Sequence, residues 1–250
     1  KAITLYSHAI GPNPWKVAIV LSSLGLPYET IFLDFKDVKL PPYVDLNPNG
    51  RLPTIIDPNN GTQLWESGAI VHYLIETYDH DHKISYDSTP ERFLTQQWLH
   101  FQASGQGPYY GQLGWFVRQS ENQNVAIERY TNEVRRVTGV LDKALSGRQW
   151  LVGDKCTFAD LAFVPWQNMV GMIVQDKDVH VPFPMPGMDG THEANARGGQ
   201  GLQDKDNAMA EMMQTINLPG HGRDVHKGKG ILSSTILYIC IHNKKEEKKK

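Results

Sequence analysis

Three short stretches of the chain hold polar side chains where they can do chemistry. Asn13 follows a Gly11-Pro12 break, precedes Pro14 and leads an apolar-periodic segment, so it reads as the N-cap of a helix. An amide there carries an NH2 that donates to an anion, and the N–H groups of the first turn add to the same field. The ordinary alternative is that Asn13 only caps the helix. Glu66-Ser67 puts a carboxylate and a hydroxyl at the start of a second helix. That pair suits a zwitterionic α-amino acid group, ammonium against carboxylate and carboxylate against helix N–H groups, although Ser67 also fits a plain cap. Residues 106–116 gather Tyr109, Tyr110 and Trp115 between glycines, which suits either an apolar pocket wall or ordinary helix packing around Pro108.

Other chemistries find little support. Cys156 and Cys240 each stand alone, without a C-x-x-C pair, and the ten histidines show no metal-ligand spacing, so no metal is expected. The solitary cysteines suit a reducing cytosol. Of the 250 residues, 25 are Lys or Arg and 27 are Asp or Glu, for a formal charge of -2. This balance exerts no general pull on nucleic acid or an acidic membrane, and neither is an expected partner. No apolar run approaches the roughly 18 residues needed to span a bilayer; the longest, 231–241, is broken by Ser233, Ser234 and Thr235. The chain moves at once from Lys1 into a strand-like run, so no secretory leader is expected, and with the solitary cysteines the expected placement is cytoplasmic.

The elements that must position these residues can be read from pattern. Residues 2–6 are an apolar, β-branched strand; 14–24 carry Val17, Val20, Leu21 and Leu24 at helical spacing and stop at Gly25-Leu26-Pro27. Strands follow at 28–33, 54–57 and 63–65, with a short helix at 41–47 and a longer one at 67–78. The order β-α-β-α-β-β-α combines a parallel crossover with a terminal hairpin and predicts a small mixed sheet flanked by helices. Residues 79–87 are polar, and from Ser88 onward only helical signals remain. Ser88 with Glu91 predicts a capping box. Tyr130, Val134, Val137, Leu141 and Leu145 predict one helical stripe. Thr157 and Asp160 predict a second capping box, a structural pair whose loss costs about 1 kcal/mol.

At Asn13-Pro14-Trp15-Lys16, Asn49-Gly50-Arg51-Leu52-Pro53-Thr54-Ile55 and Glu66-Ser67 the chain resembles the glutathione transferase family, with Leu52 where relatives usually carry valine. Within the family it looks like the fungal group similar to the yeast prion-forming nitrogen regulator. That pattern is echoed in Phe32-Leu33-Asp34-Phe35, Trp65-Glu66-Ser67-Gly68, Trp150-Leu151-Val152-Gly153-Asp154 and Ala159-Asp160-Leu161-Ala162-Phe163-Val164-Pro165-Trp166. The resemblance runs over roughly residues 1–180. It implies a thioredoxin-like α/β domain followed by an all-α domain, glutathione as cosubstrate and a homodimer.

A thiol of ordinary pKa, roughly 8.5, is only a few per cent ionised at neutral pH, and a tenfold change in that ionisation equilibrium corresponds to about 1.4 kcal/mol. The resemblance implies that the amide of Asn13 contacts the glutathione sulfur. Ser7 is the competing sulfur ligand, since other classes of the family use a serine after the first strand; its plain reading is a strand-end hydroxyl bonded to backbone. Gly11 supplies no extra hydroxyl before Pro12. Glu66 and Ser67 would hold the γ-glutamyl group, and the Leu52 backbone the cysteinyl unit, with a cis bond before Pro53. Arg51 would face the tripeptide's carboxylates, and Lys39 is a candidate for the glycyl one.

The resulting expectation is a glutathione transferase that activates the thiol and passes it to a hydrophobic electrophile, in detoxification or on a fungal secondary-metabolite intermediate. Glutathione-dependent disulfide or peroxide reduction and a non-catalytic glutathione-binding regulatory module are the alternatives. The predicted organisation is a glutathione-binding domain at 1–80, a linker at 81–87, a helical domain at 88–180 and an atypical, poorly ordered tail at 181–250, rich in glycine and ending in a charge run.

Overall fold

The computed structural model describes residues 1–119 and 123–174, so the tail expected at 181–250 lies outside the described residues. Strands β1 (Ile3–Ser7), β2 (Tyr28–Phe32), β3 (Thr54–Asp57) and β4 (Thr62–Trp65) form one sheet in the order β2-β1-β3-β4. β1 runs parallel to β2, with Ile3 opposite Tyr28, and antiparallel to β3, with Leu5 opposite Ile55. β3 and β4 make the hairpin. This is the mixed sheet predicted from the order of elements.

Helix α1 (Pro12–Leu24) makes the crossover between β1 and β2. Val17, Ala18, Ile19, Val20 and Leu21 are all buried, so their consecutive positions hide the helix around its whole circumference. It ends where predicted, at Gly25 with φ 71, whose N–H bonds back to the carbonyls of Leu21 and Ser22. A left-handed C-cap of this kind favours glycine because it has no Cβ to clash. A 3-10 turn (Asp37–Lys39) and α2 (Tyr43–Leu46) lead to β3, and α3 (Ser67–Tyr78) follows β4. α3 is fastened to the hairpin by Tyr73 and Tyr78, whose hydroxyls donate to Asp57 Oδ2. Burial pushes the Asp57 carboxyl up, but these two hydroxyls and the Asn59 N–H outweigh it and hold the carboxyl below its ordinary range.

The helical part comprises α4 (Glu91–Phe101), a π-helical turn (Gln102–Gln106), α5 (Gly107–Phe116), α6 (Asn124–Leu145), α7 (Phe158–Asn168) and α8 (Val170–Ile173). Compact units do not follow the compositional break at 81–87. One unit takes Lys1–Gln112 with Trp150–Trp166; the other takes Leu113–Gln149 and, among the described residues, 167–174. Within the first unit, residues 79–87 are no free spacer. Asp79 is buried and accepts from the N–H groups of Lys83 and Ile84 and from Ser85 Oγ, while the Ile84 carbonyl accepts the Phe158 N–H at 2.8 Å. The predicted Ser88/Glu91 capping box does not form either: the N-cap of α4 is Pro90, with no side-chain cap, and Ser88 contributes only its carbonyl, to the Arg92 N–H. In the second unit, α6 buries Val134, Val137, Leu141 and Leu145 as its periodicity predicts, and Tyr130 stacks on Phe116 with ring centroids 5.6 Å apart.

Candidate functional site

The start of α1 differs from its sequence reading in a way that matters for chemistry. Gly11 is the N-cap and makes no side-chain cap, and Pro12, not Pro14, takes the first helical position, where a missing N–H costs nothing. Asn13 is therefore the second residue of the helix and does not cap it. Its side chain is used elsewhere: the Trp166 indole Nε1–H donates to Asn13 Oδ1 at 3.0 Å. An indole nitrogen only donates, so the atom facing it must be the amide oxygen, and the Asn13 NH2 is turned away with both donors. Leading into this turn, Trp15 Nε1 donates to the Ala9 carbonyl at 3.1 Å and the Ile10 N–H to His8 Nδ1 at 3.2 Å. Ser7 is fully buried, with no hydrogen-bond partner on its hydroxyl, so it is neither the backbone-bonded strand end that its position suggested nor open to solvent.

The start of α3 is also open. Glu66 occupies the N-cap position with φ 73 and ψ 113 and makes no side-chain cap. A non-glycine residue held in that region costs on the order of 1–3 kcal/mol, which the surrounding structure must offset. Ser67 begins the helix, 7% exposed, and its hydroxyl accepts from Lys16 Nζ at 3.0 Å. Lys16 is 1% exposed, and burial drives its amine from 10.5 down to about 7, against the opposing pull of the Glu66 carboxylate. An ammonium that donates to Ser67 Oγ leaves the serine's own proton to be given outward. Asn13 and Lys16 lie three positions apart on α1, hence on one face, so this helix serves both helix starts.

The loop ahead of β3 brings other expected residues together. Lys39 Nζ donates to the Asn49 carbonyl at 2.9 Å, and Asn49 Nδ2 donates to Glu66 Oε1 at 3.3 Å. Gly50, with φ 56, is required between them, since a Cβ there would stand 2.7 Å from the Val38 carbonyl oxygen. Arg51 is exposed; its carbonyl accepts from the Tyr43 hydroxyl at 2.6 Å and from Asn47 Nδ2 at 2.7 Å, which pins the turn. The Leu52-Pro53 bond is cis, as the resemblance implied, with Leu52 outside the strand ladder that begins at Thr54.

The aromatic stretch does not act as one wall. Tyr110 is fully buried and packs edge-on against Trp166, with rings at 90° and centroids 6.4 Å apart, so it is a core residue rather than pocket lining. Tyr109 is partly exposed. Trp115, 53% exposed, belongs to the second unit and stacks edge-on against Phe116. Thr157 and Asp160 do form a capping pair, but the hydroxyl of Thr157 donates to Asp160 Oδ2 instead of accepting from the first turn, and the carboxylate also takes the N–H groups of Thr157 and Leu151. Burial outweighs these bonds and pushes the Asp160 carboxyl above its ordinary range. Among the described residues there is no cluster of His, Cys, Asp or Glu able to hold a metal ion, and no helix long and apolar enough to cross a membrane.

Comparison with known proteins shows the family. Residues 1–76 match the glutathione S-transferase N-terminal domain family and residues 110–185 its C-terminal domain family. The chain is 50% identical over 186 residues to the glutathione S-transferase-like protein OpS6 of Beauveria bassiana, covering 73% of this chain and 85% of that protein. The chain belongs to the glutathione transferase family. Its place is in the Ure2-like fungal group. The crystal structure of glutathione transferase URE2P6 from Phanerochaete chrysosporium in complex with oxidized glutathione superposes with a TM-score of 0.67 at 43% identity, over 86% of this chain and 91% of that one. Ure2p in complex with glutathione gives a TM-score of 0.65, also at 43% identity, over 69% and 86%.

Three residues that hold the candidate site were given no role from sequence. Lys16 had a visible signal, a lone charge inside the run Trp15-Lys16-Val17-Ala18-Ile19-Val20-Leu21, where solvation would otherwise be expected. Asn49 opens one of the runs that carry the resemblance, with no local sign that its side chain reaches Glu66. Trp166 closes one of the runs that carry the resemblance, but nothing local ties it to Asn13, because their bond spans 153 positions.

Proposed function

We propose that the chain binds glutathione, stabilises its thiolate and transfers it to an electrophilic small molecule. Glu66 takes the γ-glutamyl ammonium, while the Ser67 hydroxyl and the open N–H groups of α3 take its carboxylate. The Leu52 backbone pairs with the cysteinyl unit. Arg51 and Lys39 face the glycyl carboxylate, and Asn13 donates to the sulfur. The thiol proton leaves to water, the thiolate forms a bond to the electrophilic carbon, and the displaced group departs with its electron pair. The observation that carries this reading is the Asn13 amide, free of capping duty and fixed with its donors outward at an open helix start. Support comes also from relatives named as glutathione S-transferase-like proteins and from neighbours solved with glutathione or its oxidised form.

Purified protein assayed with glutathione and a halogenated aromatic should form the conjugate, and Asn13→Ala should lose that activity while Ser7→Ala keeps it. Loss with Ser7→Ala instead would transfer the role to the serine. A second reading, thiol-disulfide exchange, is favoured by the oxidised glutathione in the URE2P6 structure. Burial pushes the Cys156 thiol up, so the tripeptide's own sulfur would be the nucleophile there as well. Turnover of a mixed disulfide in place of the aromatic would establish that reading. Tight glutathione binding with neither activity would mark a regulatory module. The same reading includes a homodimer, checked by mass in solution.

A further inference from the structure

We propose that Trp166 is a positioning residue for the sulfur site, its indole N–H holding the Asn13 amide in the one orientation that presents both donors to a thiolate. The proposal rests on the reading of Asn13 given above. An asparagine side chain has two faces of nearly equal shape and opposite electrostatic character, and rotation by half a turn exchanges them. With no partner on one side, an amide at the start of α1 could present lone pairs to the sulfur as readily as N–H groups. The indole removes that freedom, because the bond at 3.0 Å is possible only to the oxygen.

The indole is itself held in place by its surroundings on α5. It is 9% exposed and meets Tyr110 edge-on. Its rim lies against two glycines one turn apart on α5: a Cβ on Gly111 would stand 3.2 Å from Trp166 Cη2, and one on Gly107 would stand 3.5 Å from Nε1. Gly107 directly follows the π-helical turn, which accommodates one residue more than an α-turn and so rotates the face of the following helix by about 100°. The turn is tied internally by Gln102 Nε2 donating to Gln106 Oε1 at 3.0 Å, and Gln106 Nε2 reaches the Phe163 carbonyl on α7 at 3.3 Å. The groove of small residues facing Trp166 is therefore set by the same irregularity that joins α5 to α7.

The test measures the pKa of the thiol of bound glutathione, read by ultraviolet thiolate absorbance, together with kcat and KM, in Asn13→Ala, Trp166→Phe and the double variant. Phenylalanine keeps a ring in the groove and removes only the donor and part of the rim. The expected result is a raised thiol pKa in Asn13→Ala and a smaller rise in Trp166→Phe. The latter should lose about fivefold in kcat, the worth of one ordinary hydrogen bond, with KM for glutathione within about twofold. The double variant should match Asn13→Ala alone, because the indole acts only through the amide. A thiol pKa unchanged by Trp166→Phe but raised by Asn13→Ala overturns the role of Trp166 and leaves that of Asn13 standing. A thiol pKa unchanged by Asn13→Ala overturns both. Should Trp166→Phe fail to fold, Gly111→Ala and Gly107→Ala decide: the first crowds the ring and should raise the thiol pKa, the second stays within ordinary contact and should not, and equal behaviour of the two overturns the proposal.

Discussion

The start of α7 and the starts of α1 and α3 are made from similar residues and put to opposite uses. At α7 the Asp160 carboxylate takes the Thr157 N–H and hydroxyl and the Leu151 N–H, all inside the core, so its bonding capacity is consumed within its own neighbourhood. At α1 and α3 no side chain caps the helix. There the polar side chains are held from behind by a donor distant in sequence, Trp166 for Asn13 and Lys16 for Ser67. A side chain whose bonds close on its own helix stabilises the fold. One that is anchored from the back keeps donors for something else; at α3 the N–H groups of the first turn lie beside it, while at α1, where Pro12 and Pro14 carry no N–H, the side chain of Asn13 is the main donor.

The largest effects should separate these two kinds of helix start cleanly. Asn13→Ala is expected to lower the rate of glutathione transfer about 10²-fold, the usual consequence of removing one donor to a developing or stabilised anion. Its stability should fall by only about 1 kcal/mol, since one donor, the part-buried Trp166 indole, loses its acceptor. Asp160→Ala should do the reverse. Three donors lose their acceptor, at about 1–3 kcal/mol each when buried, so a loss of roughly 3 kcal/mol or more is expected from denaturant unfolding, with glutathione affinity of the folded protein unchanged. The sequence alone suggested about 1 kcal/mol, the worth of an ordinary cap; the Leu151 N–H and the complete burial of the carboxylate account for the increase. A rate loss in Asp160→Ala matching that of Asn13→Ala at equal foldedness would break the distinction.

Where reading from sequence succeeded and failed follows the range of the interaction. β3 at Thr54–Asp57 and α3 at Ser67–Tyr78 were legible to the residue, because a β-branched run between polar breakers and helical spacing are both local. The stop of α1 at Gly25 was legible for the same reason. Its start was misplaced by two residues because Gly11, Pro12, Asn13 and Pro14 are each acceptable at a helix N-terminus, and only the bond from Trp166 shows which one is free of capping. Ser88 and Glu91 had the spacing of a capping box, yet Pro90 occupies the N-cap position of α4. Tyr110 and Trp115 share one helix and looked alike by type, but their burial is set by what packs on each position, which the local pattern does not contain. The burial of Lys16 had a local sign in the apolar run around it, but its partner had none: Ser67 is 51 positions away.

The smaller predictions concern the difference between the two anchors, since the indole is neutral and the ammonium titrates. Ser67→Ala should weaken glutathione binding roughly tenfold or more, as expected for a bond to a charged group. Lys16→Met should weaken it less and should also remove a pH dependence. The folded amine titrates near 7 and the unfolded one at 10.5, so between these values the unfolded chain holds a proton that the folded chain has released. Stability should therefore rise with pH across that window and be lowest where the ammonium is buried, below about 7. Lys16→Met should flatten that slope and melt higher on the acid side. Binding runs the other way: an anionic carboxylate against Ser67 favours the protonated amine, so affinity should fall as pH rises through about 7. S-methylglutathione isolates this effect because it has no thiol to ionise. Calorimetry with that ligand should find proton uptake on binding near neutral pH in the parent protein and none in Lys16→Met. An affinity that stays level on both sides of pH 7 would show that the lysine supports the serine without sensing the ligand, whereas Trp166→Phe, which leaves Lys16 in place and removes no titrating group, should keep the parent's pH dependence in the same experiment.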